Sequence, residues 1–106
     1  MIGLQFPWRK RVVGPPRPIT LVWPAQGAIV GALVAMTDGE ATYLTDLEVN
    51  PEFRGQGIGT KLMNELIAQV GNTNIILMTA DAEAFYEKFG FTPRQAMIRR
   101  PTSCAE

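Results

Sequence analysis

Three glycines, Gly55, Gly57 and Gly59, alternate where a β-type run gives way to a helical one, and Arg54 stands directly before them. Glycines there strip side chains from a turn whose backbone N–H groups point outward, and the positive end of the following helix adds to the field. Such a turn suits a phosphate or a pyrophosphate, with Arg54 as a fixed cation at its rim. Spacing sets it apart from two other phosphate loops. A G-x-G-x-x-G fingerprint needs glycine where Thr60 stands, and a Walker loop needs Gly-Lys-Ser/Thr where the chain reads Gly59-Thr60-Lys61. A ligand-free turn is the plainer alternative. Against it, glycine is expensive in chain entropy, and a helix start does not need it for turning alone.

Just upstream, Asp46 and Glu48 alternate with Leu47 and Val49. On a strand this sends both carboxylates away from the apolar side. Other chemistries are removed by composition. The chain has no histidine, so Ser-His-Asp and Cys-His nucleophile systems and the usual zinc sites have no imidazole. No metal is expected. Cys104 is the single cysteine, so no disulfide can form within the chain, and in a polar tail it reads as inert.

Formal net charge is zero, and nothing global draws the chain to nucleic acid or membrane. Basic residues crowd the two ends: Arg9, Lys10, Arg11 and Arg17, then Arg94, Arg99 and Arg100. The N-terminal cluster could touch a nucleic acid, though such runs are usually only solvated. No apolar run approaches the roughly 20 residues of a membrane span, and positive charge follows Met1–Trp8 rather than preceding it. The expected location is cytoplasmic.

The elements that must position these residues follow from periodicity. At 106 residues one domain is expected. Residues 1–18 carry Pro7, Pro15, Pro16 and Pro18 and read as an irregular arm, with Phe6 and Trp8 pinning it to the core. Residues 19–106 form the domain proper. Ile19–Trp23, Ala28–Met36 and Thr42–Val49 read as an antiparallel meander, broken at Pro24–Gly27 and turning at Asp38-Gly39. Ile58, Leu62, Leu66 and Val70 then recur every four residues, which predicts an amphipathic helix closed by Gly71-Asn72. Asn74–Thr79 is a short central strand. Asp81 is expected to cap a second helix whose Phe85 and Phe89 share a face and which ends at Gly90. Residues 91–100 read as one or two edge strands. The order β-β-β-α-β-α-β gives an α/β (α+β) fold: one mixed, mostly antiparallel sheet with two main helices.

The run from Leu47 to Gly59 resembles the signature of the GNAT superfamily of acyl-CoA-dependent N-acetyltransferases. Its core, Arg/Gln-x-x-Gly-x-Gly/Ala, is met by Arg54, Gly57 and Gly59. Ala84-Phe85-Tyr86-Glu87-Lys88-Phe89-Gly90-Phe91 resembles the family's second signature, a tyrosine helix ending in Gly-Phe. The two are separated by one helix and one strand, as in the family, and the likeness covers about residues 28–100.

The resemblance implies an acyl-CoA N-acyltransferase fold with acetyl-CoA as co-substrate, lying between the strand ending at Val49 and the strand Asn74–Thr79. Leu47 and Val49 would hold the pantetheine arm, and Arg54, Gly55, Gln56, Gly57, Ile58, Gly59 and Thr60 the pyrophosphate. A primary amine would attack the thioester directly. Tyr86 matches the tyrosine that protonates the departing thiolate; a phenol of pKa about 10 suits that task. The alternative is an aromatic in the core, although Tyr86 is one position off the Phe85/Phe89 stripe. Asp46 or Glu48, directly or through water, could take the amine's proton or attract a cationic acceptor, or both could be merely solvated.

Two departures matter. Thr79 stands where the family has an asparagine that contacts the coenzyme. Residues 1–18 cannot supply the strand and two helices that usually wall the acceptor site. N-acetyl transfer to an amine of a small molecule or protein is therefore weighed against an acyl-CoA-binding regulatory module without turnover. The abbreviated acceptor side also leads to the expectation of a homodimer, pairing through Thr92–Arg100.

Overall fold

The computed structural model describes residues 4–5 and 12–102. Phe6, Trp8, the Arg9–Arg11 cluster and Cys104 lie outside them, and so do the roles suggested for those residues. Within the arm, β1 (Leu4–Gln5) and β2 (Val12–Val13) pair antiparallel as a separate two-stranded piece, so the stretch read as irregular contains some structure. The Gly14 N–H donates to the Asp38 carbonyl at 2.9 Å, tying the arm's end to the main sheet.

The meander forms as expected: β3 (Arg17–Ala25), β4 (Ala28–Thr37) and β5 (Ala41–Val49). Gln26 and Gly27, with φ of 53° and 78°, make the first hairpin turn. The second is held by Asp38 Oδ1, which accepts from the N–H of Glu40 and of Ala41 at 2.9 Å each. The first strand runs through Pro18 and Pro24, past both ends of the predicted run. It can do so because β3 is an edge strand, where a residue without an N–H loses no ladder bond. The last strand, β6 (Asn74–Leu77), stops short of Thr79 and is not central as expected: it pairs parallel with β5 alone and forms the other edge in the order β3-β4-β5-β6, because residues 91–100 add no strand beyond it.

Helix α1 (Ile58–Val70) lies on one face of this sheet and buries the predicted stripe, with Met63 and Leu66 fully inaccessible. They meet Leu33, Ala35 and Leu44 of the sheet. Burying one such side chain contributes about 1.5–3 kcal/mol, and Leu66→Ala would cost about 2–5 kcal/mol. Gly31 of β4 sets the depth of this packing. A Cβ there would fall 2.8 Å from Ile58 Cγ2, so its absence lets the start of α1 approach the sheet.

The chain after β6 departs from expectation as well. Helix α2 is only Glu83–Glu87, its cap residue is Ala82, and no side chain caps it. Asp81 is displaced from the capping role because Thr79 closes the preceding turn, its Oγ1 accepting from the Ala82 N–H at 3.0 Å. Gly90 ends the turn after α2 at φ 90°, as read. Residues 91–100 form no strand. As a strand, the segment would set Met97 beside Gln95 and Arg99 on one face and Ile98 beside Arg100 on the other, so neither face is apolar throughout, and Met97 is 97% exposed.

Candidate active site

The parallel pairing of β5 and β6 covers only Ala41–Leu44 against Asn74–Leu77. From Asp46 to Val49, β5 stays paired with β4, and from Thr45 onward it has no partner toward β6. The β4/β5 register slips at Val34/Ala35, leaving Thr45 as the extra residue, and its hydroxyl donates to the Val34 carbonyl at 3.0 Å. A bulge of this kind bends and re-aims its strand. The opening expected between the two strands is thus present, with backbone groups of β5 along one wall.

Below the end of β5, Asn50 caps a 3-10 turn (Pro51–Phe53), its side chain accepting from the Glu52 N–H at 2.9 Å. Arg54 follows, and its Nε donates back to the Val49 carbonyl at 3.3 Å, holding the guanidinium at the cleft's lower rim. Gly55 and Gly57 both take left-handed backbone, φ 82° and 81°. The turn itself therefore demands glycine, contrary to the argument that a helix start does not. No atom lies within 4 Å of where their Cβ atoms would be, so the cradle stands open. Gly57 is the N-cap of α1 without a side-chain cap. The first-turn N–H groups consequently lack intrahelical partners.

Gly59 differs, since a Cβ would fit there. Its missing Cβ would meet Phe85 Cζ at 3.5 Å and Val49 Cγ2 at 3.9 Å, ordinary contact distances. The Phe85 ring thus closes over the helix start. It stacks edge-on with Tyr86 at 5.1 Å and Phe89 at 5.3 Å, and Lys88 Nζ sits 5.2 Å from its centroid.

These parts enclose a cleft of about 680 Å³. Strand β5 contributes Leu47, Glu48 and Val49; the loop, Arg54, Gly55 and Gly57; helix α1, Ile58, Gly59 and Thr60. Gln56 and Thr79 are not on its walls. Sequence reasoning missed Phe53, Ala82, Phe85 and Lys88. Lys88 could have been found from its place two residues after Tyr86 in the second signature; Phe85 read only as one half of the Phe85/Phe89 stripe. A second cavity of about 320 Å³ adjoins the first, lined by Asp46, Met78, Thr79 and Asp81 among others. Leu47, Glu48, Ala82 and Tyr86 border both cavities.

Tyr86 therefore stands where the two spaces meet, off the Phe85/Phe89 stripe as its position suggested. Its ring also packs edge-on against Phe91 at 5.7 Å. Burial raises its pKa above the usual 10, because the phenolate would lose hydration. The hydroxyl thus keeps its proton at neutral pH, as a proton donor must.

Residues 17–93 match the family profile described as Acetyltransferase (GNAT) domain. The chain belongs to the GNAT acetyltransferase family. Among its relatives, an uncharacterised N-acetyltransferase, ycf52, of Porphyra purpurea is 35% identical over 68 residues, 59% of this chain and 39% of that protein. The chain spans about two fifths of the curated relatives it matches. A GNAT family acetyltransferase from Streptococcus pneumoniae superposes with a TM-score of 0.70 at 27% identity, covering 78% of this chain and 70% of its own. A predicted acetyltransferase from Clostridium acetobutylicum, described with acetyl-CoA, shares the fold at TM-score 0.68 and 18% identity, over 79% of this chain and 64% of its own. The mixed four-stranded sheet with two helices is that of the GNAT acyl-CoA N-acyltransferases.

Proposed function

We propose that this chain binds acetyl-CoA in the larger cavity and transfers the acetyl group to an amine held in the smaller one. The observation that carries the reading is the junction: a cleft floored by an open glycine cradle meets an acid-lined cavity at Tyr86 and Glu48. The cradle suits a pyrophosphate, since a helix N-terminus offers unpaired N–H groups and a partial positive charge. Arg54 and Lys88 bring cations to the same wall. The unpaired stretch Thr45–Val49 offers N–H and C=O groups to the amides of a pantetheine arm, as an added strand would.

The coenzyme supplies an activated acetyl thioester. What the protein adds is position and protons. Asp46 and Glu48 border the acceptor space, and Asp81 adds a third carboxylate. Together they favour a cationic amine, which must lose a proton before it can attack. Asp46 or Glu48, directly or through water, receives that proton. The amine nitrogen bonds to the acetyl carbonyl carbon, the carbon–sulfur bond breaks, the Tyr86 hydroxyl gives its proton to the sulfur, and the proton the nitrogen sheds on becoming an amide returns to the phenolate. Nucleophile and acid thus come from opposite sides of one junction, and no covalent enzyme intermediate is involved.

Calorimetry with acetyl-CoA, followed by mass spectrometry of a pooled amine panel incubated with protein and acetyl-CoA, tests this. Binding in the micromolar range and acetylated cationic amines are expected. Failure to bind acetyl-CoA refutes the reading. Binding with no product from any amine favours the regulatory module without turnover instead.

A further inference from the structure

Tyr86 presents one hydroxyl where two cavities meet, yet the element that carries it is too short to hold itself. Helix α2 has five residues, and so short a helix is marginal in water unless something outside it fixes it. Its bonds run back to a single carbonyl. The N–H groups of Phe85 and Tyr86 both donate to the Ala82 oxygen, at 3.1 and 3.2 Å. Those of Phe89 and Phe91 donate in turn to the Tyr86 oxygen, at 2.9 and 3.4 Å. The whole turn is therefore placed by Ala82, an N-cap residue whose side chain makes no capping bond. Ring contacts do not replace it. Phe85 and Phe91, which meet the Tyr86 ring edge-on, belong to the same segment and move with it.

Thr79 connects this turn to the sheet. Its Oγ1 accepts from the Ala82 N–H at 3.0 Å. Strand β6 ends at Leu77, whose register partner is Leu44 of β5. Exposure continues to alternate through Met78, so Thr79 shares the half-buried face of Ile75 and Leu77, which pack against the core. A β-branched side chain is stiff at χ1, and its oxygen is held in one place. Apolar packing presses the segment onto the core without direction, whereas this hydrogen bond has one.

We infer, on the reaction proposed above, that Thr79 is a positioning residue: it fixes Tyr86 at the junction through Ala82 and does not touch the coenzyme. Thr79 lines the smaller cavity only, while Ala82 and Tyr86 border both. Its loss should therefore appear in the chemical step and not in coenzyme binding.

Thr79→Val keeps the branched shape and removes the acceptor. It should leave circular dichroism unchanged, alter acetyl-CoA affinity little, and lower kcat by roughly 10- to 100-fold, the scale of a misplacement of about 1 Å. Thr79→Ser restores the oxygen and should recover most of that loss. In a Tyr86→Phe background the valine should cost little more, because the acid it displaces is gone. Weaker acetyl-CoA binding with kcat intact would make Thr79 a coenzyme contact and overturn the proposal, as would full additivity of the two substitutions. Amide exchange followed by NMR needs no turnover. Thr79→Val should hasten exchange at Ala82, Phe85 and Tyr86, and Thr79→Ser should not. Unchanged exchange at all three overturns the proposal, whereas a wild-type protein that acetylates no amine counts against the proposed function alone.

Discussion

Gly57 allows stability and coenzyme affinity to be driven in opposite orders. At φ 81° an alanine costs about 1–2 kcal/mol of backbone strain. There is no steric addition, because nothing lies within 4 Å of its Cβ. For a domain near 100 residues that is a melting temperature lower by roughly 4–16 °C. Glutamate carries the same strain but recovers about 0.3–1 kcal/mol, since its carboxylate sits at the positive end of α1. Gly57→Glu should therefore melt at or above Gly57→Ala. For the coenzyme the order reverses. A carboxylate about 4 Å from one pyrophosphate charge, at an effective dielectric near 20, repels it by about 4 kcal/mol, roughly a thousandfold in affinity. Alanine should weaken binding far less. Differential scanning calorimetry gives the first order, and titration calorimetry with acetyl-CoA the second. Wild-type affinity in a folded Gly57→Glu protein would refute the cradle as the pyrophosphate site. Wild-type stability in Gly57→Ala would refute the strain argument.

Tyr86→Phe should keep the fold and acetyl-CoA affinity while lowering kcat by roughly 100-fold or more, the scale of one general acid. Because burial raises the Tyr86 pKa, its contribution to stability is complete below about pH 10 and is lost as pH rises through the folded value. Alkaline unfolding of Tyr86→Phe should accordingly begin at higher pH, followed by circular dichroism. Lys88→Met should raise KM for acetyl-CoA several-fold with kcat little changed, as expected for a cation used equally in binding and transition state; an unchanged KM in steady-state assays would remove Lys88 from the cleft's function. Thr42→Val should cost about 1–3 kcal/mol in chemical denaturation. It breaks a buried hydroxyl chain in which Thr42 Oγ1 donates to Thr37 Oγ1 at 2.9 Å and lies 2.8 Å from Thr73 Oγ1.

What could be read in advance follows the range of the interaction responsible. The α1 stripe and the meander depend on neighbours within one turn or one hairpin, so periodicity and Asp38-Gly39 were enough to place them. The glycine loop was legible for its ligand but not its conformation. Alternation suggested exposed N–H groups, whereas the need for glycine at 55 and 57 lies in dihedrals that spacing does not encode. Gly31 depends on a more distant partner still, Ile58, which only the packed sheet and helix bring against it. The junction at Tyr86 is a case in between. Its offset from Phe85 and Phe89 is visible in sequence, but the two cavities it borders form where β5 runs on past the end of its pairing with β6.

The tail is where local reasoning failed, and the failure is informative. Residues 91–100 read as one or two edge strands, yet a strand needs an edge to pair with as well as a sequence willing to extend. Within one copy the segment finds no such partner among the described residues, while β6 leaves an edge open. Sequence patterns report what a segment could pair with, and they are silent on whether the folded chain brings an open edge within its reach.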